Sequence, residues 1–276
     1  MKKIILLSVV VVVIIAVSLV GFMGCQGNTS LTQVFSEYNT WNEVTLPETL
    51  TYDMYNGSEK MGTLTTKVET LTKGSTYYLG KTGLVAEANK IFSITTDTVN
   101  DTFIATTTLT TNDGSYEKTT FAIFEKNYQL LGSYSSTKKD GNEDIVVAYN
   151  VNGKKYHYVK SSNWDEEKTI KNGKYETSPY FDNTMIYFVA RSIPQAEYSS
   201  LTFNIFDTEK NAKEKVTLTI KSGEEGSNLR IVTMTTSDSL LGTTNNISCY
   251  VNNNKRNGYK NVIQKIVEGN YSYILQ

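Results

Sequence analysis

The 276-residue sequence carries one histidine, two cysteines, two tryptophans and three prolines, and each scarcity removes a class of chemistry. Nucleophilic catalysis by a Ser-His-Asp or Cys-His set needs an imidazole base, and only His157 offers one. In Lys155-Tyr156-His157-Tyr158-Val159, strand alternation places His157 with Lys155 and Val159, with Tyr156 and Tyr158 opposite. That makes His157 a strand position rather than a base. One imidazole and two thiols cannot supply the usual closed zinc ligand set, so no metal and no cofactor is expected. The 27 basic and 28 acidic side chains leave a formal net charge of -1, so no broad field favours nucleic acid. No G-x-S-x-G, H-E-x-x-H, P-loop or G-x-G-x-x-G pattern occurs.

What is present begins at the start of the chain. Lys2 and Lys3 precede an apolar run over residues 4–20, and Gly24 stands before Cys25. This arrangement resembles a bacterial lipoprotein signal peptide, with Phe22 and Met23 departing from the usual Leu and small residue. The resemblance implies removal of residues 1–24, acylation of Cys25 and an extracytoplasmic, lipid-anchored location. Two long acyl chains would contribute on the order of 20 kcal/mol to membrane binding, far more than any juxtamembrane basic residue. An uncleaved signal anchor over residues 4–23 is the alternative. Lipidation of Cys25 leaves Cys249 as the remaining thiol; a Cys25–Cys249 bridge is the alternative pairing. Cys249 alternates with Ile247 and Val251 and reads as a small buried hydrophobe. Residues 25–47 read as a tether carrying a short helix over residues 31–39, with Leu31, Val34, Phe35 and Tyr38 at helical spacing.

Residues 48–276 read as one mainly β domain. Leu50, Tyr52 and Met54 share a face before Asn56-Gly57, and Leu64, Thr66 and Val68 return. Turn signals recur at Asn112-Asp113-Gly114, Asp140-Gly141, Asn152-Gly153, Asn172-Gly173 and Asn257-Gly258, as in an antiparallel meander. Between them alternate Phe103, Ala105, Leu109; Ile145, Val147, Tyr149; Leu201, Phe203, Ile205; and Val216, Leu218, Ile220, predicting one buried face throughout. Met185, Ile186, Val189, Ala190 and Ile193 form a helical stripe over residues 179–193, begun by Ser178 with Pro179 or by Asp182 and followed by Pro194. This spacing predicts a curled sheet or incomplete barrel with the helix plugging or flanking it. Lys138, Lys139, Lys154 and Lys155 are expected to protect its edges.

Three stretches resemble the bacterial extracytoplasmic family called domain of unknown function 3108. They are Thr51-Tyr52-Asp53-Met54-Tyr55-Asn56-Gly57 with Gly62-Thr63-Leu64, then Asp182, Ile186, Tyr187 and Arg191-Ser192-Ile193-Pro194 leading into residues 201–206, and the closing residues 262–267 and 271–275. Together they span the chain from about Glu48 onward, without the family's usual Pro near residues 259–263. The resemblance implies a curled β architecture outside the cytoplasm and supplies no reaction.

Two acidic runs are candidate sites. Asp140-Gly141-Asn142-Glu143-Asp144 begins like a calcium loop, but Ile145 replaces the sharp-turn Gly and Val151 the bidentate Glu, so a charged hairpin turn is expected. Asp165, Glu166 and Glu167 beside Trp164 read as solvated surface; a hydrolase would require two carboxylates facing across a cleft. The 19 Tyr and 10 Phe suit strand packing and also concave ligand sites. Tyr156 and Tyr158 are the speculative binding pair. The expectation is a non-enzymatic binding module for an apolar or amphiphilic ligand, a lipid or glycan, or for an envelope partner. A hollow filled by its own side chains would count against a ligand there. A flat Thr-rich face would favour a structural or adhesive surface module.

Overall fold

The computed structural model describes residues 46–80, 83–126, 128–151, 155–162, 168–174, 182–192, 200–208, 212–223, 228–235, 246–252 and 261–276. Strands β1 (Glu48–Asn56) and β2 (Glu59–Leu71) form the opening hairpin. The chain then leaves the sheet to build β3 (Thr76–Gly80), β4 (Gly83–Leu84) and β5 (Lys90–Thr95), which form a separate three-stranded sheet in the order β4-β3-β5. It returns as β6 (Thr102–Thr111) beside β2 and continues outward through β7 (Tyr116–Glu125), β8 (Leu130–Lys139), β9 (Asn142–Val151), β10 (Lys155–Ser162) and β11 (Lys168–Lys174).

A 3₁₀ turn, Asn183–Met185, and helix α1 (Ile186–Ser192) follow. The chain then runs back through β12 (Ser200–Asp207), β13 (Ala212–Ser222), β14 (Leu229–Thr235), β15 (Asn246–Asn252), β16 (Val262–Glu268) and β17 (Tyr271–Leu275). Because β17 pairs with β1, both meanders join into one 14-stranded antiparallel sheet ending at β11 and β12. It is not closed into a barrel.

Local chemistry explains the turns. Asp140 and Gly141 have φ of 51° and 81° and link the paired Lys139 and Asn142, the double left-handed geometry of a type I′ hairpin. The acidic run is therefore a turn followed by β9. In the opening hairpin the turn residues are Gly57 and Ser58, one position later than Asn56-Gly57, because Asn56 still pairs with Glu59. Asn172 and Gly173 are not a turn: they lie inside β11, where Gly173 pairs with Tyr156 across an irregular register.

The lysine expectation also shifts. Lys138 and Lys139 lie in β8, an interior strand, and β11 is an edge; its sequence, KTIKNGK, brings three lysines to that edge.

Helix α1 sits against the inner face of the sheet. Asp182, not Ser178, caps its start: the residue is extended and its carboxylate accepts the Thr184 N–H at 2.9 Å. The sequence stripe predicts one buried face, yet every residue of Ile186–Ser192 is buried. The reason is enclosure: Met185, Ile186 and Val189 join one core with Leu64, Val68, Ala105 and Phe124 from one meander and Val216, Leu218, Cys249 and Val251 from the other. The 3₁₀ turn bridges strands far apart in sheet order, since the Ser133 hydroxyl of β8 donates to the Asp182 carboxylate and Asp182 forms a parallel bridge with Phe206 of β12. At the helix end Arg191 makes a bidentate pair with Glu48 of β1 and donates from Nε to the Asn261 carbonyl at 2.9 Å. Arg230 of β14 in turn donates to the Arg191 carbonyl at 2.6 Å. Burial opposes the Arg191 charge, but Glu48 outweighs it and holds the guanidinium above its usual value. Burial and the Arg191 charge lower Arg230 to about 10.

Candidate functional site

Strands β6–β9 are buried on both faces, which corrects the one-face expectation. Phe103, Ala105, Ala122, Phe124, Val146 and Ala148 face α1, while Ile104, Phe121, Ile123, Tyr134, Ile145 and Val147 form a second core beneath the small sheet. Leu79 and Ile94 from that sheet close the second core, and Phe92 packs on Tyr149 with ring centroids 4.0 Å apart. Close approach is built in at Gly132, where a Cβ would stand 2.4 Å from Ile94 Cδ1 and 3.0 Å from Leu79 Cδ1.

The small sheet covers only part of this outer face. Beside β4 it leaves a groove of about 470 Å³, within the range of small-molecule sites. Strand register orders the floor in rows. The first runs from Thr106 to Phe121 to Tyr134, with the two rings stacked at 5.2 Å and 11°. The next pairs Thr119 with Ser136; the last runs Glu117, Lys138, Glu143. Polarity therefore increases along β7 and β8 from Phe121 and Tyr134, while Glu69 of β2, the register partner of Ile104 and ion-paired to Lys67, sets a carboxylate at the other end. At the apolar end Ile104 and Phe121 lie below Leu84, which is 36% exposed. Gly83 makes that overhang possible: its φ is +84° and a Cβ would meet Phe121 Cε1 at 2.9 Å.

At the polar end Lys138 Nζ lies 2.9 Å from Glu117 Oε1, and the Ser136 hydroxyl donates to Glu143 Oε1 at 2.7 Å. The hydrogen bond from Lys138 to Glu117 holds this ammonium above its usual value. Burial pushes the Tyr134 hydroxyl up, partly offset by a hydrogen bond with Ser136. Beyond the groove the same face carries a hydroxyl row, Thr51, Thr65 and Thr108 across β1, β2 and β6, which meets the floor at Thr119 of β7.

The residues singled out from sequence stand elsewhere. Cys25 and residues 31–39 lie outside the described residues, as do Trp164, Asp165, Glu166 and Glu167. Tyr156 and Tyr158 lie on β10, paired with Asn150 and Ala148 of β9, and their side chains are outside the description. Cys249 is fully buried beneath α1, and burial pushes its thiol well above the usual range, as for a packing residue. Sequence reading missed the groove because six strands, β2, β4 and β6–β9, each contribute only one to three lining residues. Among the described residues no helix is long and apolar enough to cross a membrane.

No protein-family model matches the chain, and no curated protein does. The resemblance to domain of unknown function 3108 thus has no matching family model behind it. Among solved structures, a β-barrel-like protein of domain of unknown function DUF1849 from Brucella abortus is similar at 12% identity and a TM-score of 0.43, over 85% of this chain and 95% of that one.

Proposed function

We propose that this chain is an extracytoplasmic lipoprotein, anchored through Cys25 and related to domain of unknown function 3108. Its β domain binds an amphiphilic ligand in the outer-face groove without catalysing a reaction. The observation that carries the ligand reading is the gradient along β7 and β8, from Phe121 and Tyr134 through Thr119 and Ser136 to Glu117, Lys138 and Glu143, with Glu69 held by Lys67 at the side of Ile104. An amphiphile can match both ends at once: its apolar part removes Leu84 from water, and its head meets exposed charges that stay hydrated.

The inner hollow supports this placement by contrast, since α1 and its contacts occupy the described part of it. The hydrolase reading gains nothing from the groove: Lys138 stands in register between Glu117 and Glu143, so no open gap separates two facing carboxylates. The threonine row favours a second reading, in which the outer face of β1, β2 and β6 meets an envelope partner directly.

Native mass spectrometry of protein extracted from membranes tests both parts. The expected result is an acylated Cys25 and a co-purifying amphiphile that is lost in Leu84→Asp. An unmodified, uncleaved N-terminus would reject the anchor. An adduct equally abundant on Leu84→Asp, or no adduct, would reject the groove.

A further inference from the structure

The head-group chemistry of the ligand can be read from the charge order at the polar end of the groove, an inference that rests on the amphiphile reading above. Glu117, Lys138 and Glu143 are direct cross-strand partners on β7, β8 and β9, giving negative, positive, negative in one row. Neighbouring strands lie about 4.8 Å apart, so opposite charges alternate at that interval. A purely cationic head would meet Lys138 at the centre of the row, and a purely anionic one would meet a carboxylate on either side. A head carrying both charges avoids each clash.

We infer that the groove selects a zwitterionic amphiphile, whose anionic group meets Lys138 and whose ammonium group meets a flanking glutamate. An ammonium tethered a few bonds from a phosphate spans about one inter-strand interval. The row is also available for exchange. The side chains of Lys138 and Glu117 are 54% and 40% exposed, and an ion pair so hydrated contributes about 0–1 kcal/mol, so a ligand displaces it at little cost. Glu143 is oriented toward the groove's polar end by the Ser136 hydroxyl. The apolar part then lies back over Phe121 under Leu84, which fixes the direction of entry.

The test uses the full chain in nanodiscs and four water-soluble probes with the same single chain: hexylphosphocholine, hexyl phosphate, hexyltrimethylammonium and hexyl glucoside. Two partly exposed charge contacts predict that the phosphocholine probe binds about five- to tenfold tighter than the other three. Lys138→Gln should abolish that preference and turn the groove toward hexyltrimethylammonium, with the fold checked by a nearly unchanged melting temperature. Equal binding of all four probes by the wild type, lost in Leu84→Asp, would overturn the zwitterion while leaving the groove. Tightest binding of the purely anionic or purely cationic probe would overturn it likewise. No binding of any probe would overturn the groove reading itself.

Discussion

The two meanders of the large sheet are built from similar strands and treated differently by the fold. In β13–β15 the inward residues Val216, Leu218, Ile220, Val232, Met234, Ile247, Cys249 and Val251 are buried, while outward Thr217, Thr219, Thr233 and Ser248 are half-exposed, with Thr233 and Ser248 paired through their hydroxyls at 3.0 Å. In β6–β9 the outward positions beneath the three-stranded sheet, Ile104, Phe121, Ile123, Tyr134, Ile145 and Val147, are apolar as well. An inner face makes the fold, and a partly covered outer face makes a groove. The difference locates the candidate site in the doubly covered meander.

The comparison breaks most completely where the two meanders share a support. Glu48→Gln leaves the buried Arg191 guanidinium without its carboxylate, and urea unfolding should show a loss of about 3–5 kcal/mol, with amides in both meanders losing protection together. Loss confined to one meander would contradict that support.

Next comes the latch between β8 and β12. Burial raises Asp182 from 3.8 to about 6, so its protonated form is favoured in the folded state. The resulting stability is fully present below about pH 4 and is lost as pH rises through about 6, by about 3 kcal/mol in total. Unfolding of the wild type against Asp182→Asn across this window isolates the contribution, and the variant should show a flatter profile.

The hairpin at residues 140–141 and the core helix are written locally, in an Asp-Gly turn and an apolar stripe. The double burial was also legible, in the continuous apolar runs Phe121-Ala122-Ile123-Phe124 and Ile145-Val146-Val147-Ala148, which mark strands covered on both sides. Reading only alternate positions passed over it. The pairing of Glu48 with Arg191, 143 residues apart, has no local signal, and neither does the groove, whose lining exists only once register is set.

Gly132→Val sharpens the comparison because it strikes the covered meander alone. The added side chain would collide with Ile94 and Leu79, costing about 1–3 kcal/mol and exposing the amides of residues 76–95 to hydrogen exchange, while those of residues 246–252 stay protected. The smallest effect is at the rim. Lys138→Gln removes an exposed ion pair and should change stability by less than about 0.5 kcal/mol, separating the groove's chemistry from the fold.

The central claim is that ligand binds outside the sheet rather than in its hollow. Methyl NMR of the full chain in nanodiscs, titrated with dihexanoylphosphatidylcholine, tests it directly. Shifts confined to Leu84, Ile104 and Ile145, with Val189, Val232 and Val251 unmoved, are the predicted result. Shifts centred on the methyls around α1, or none at Leu84 and Ile104, would contradict it.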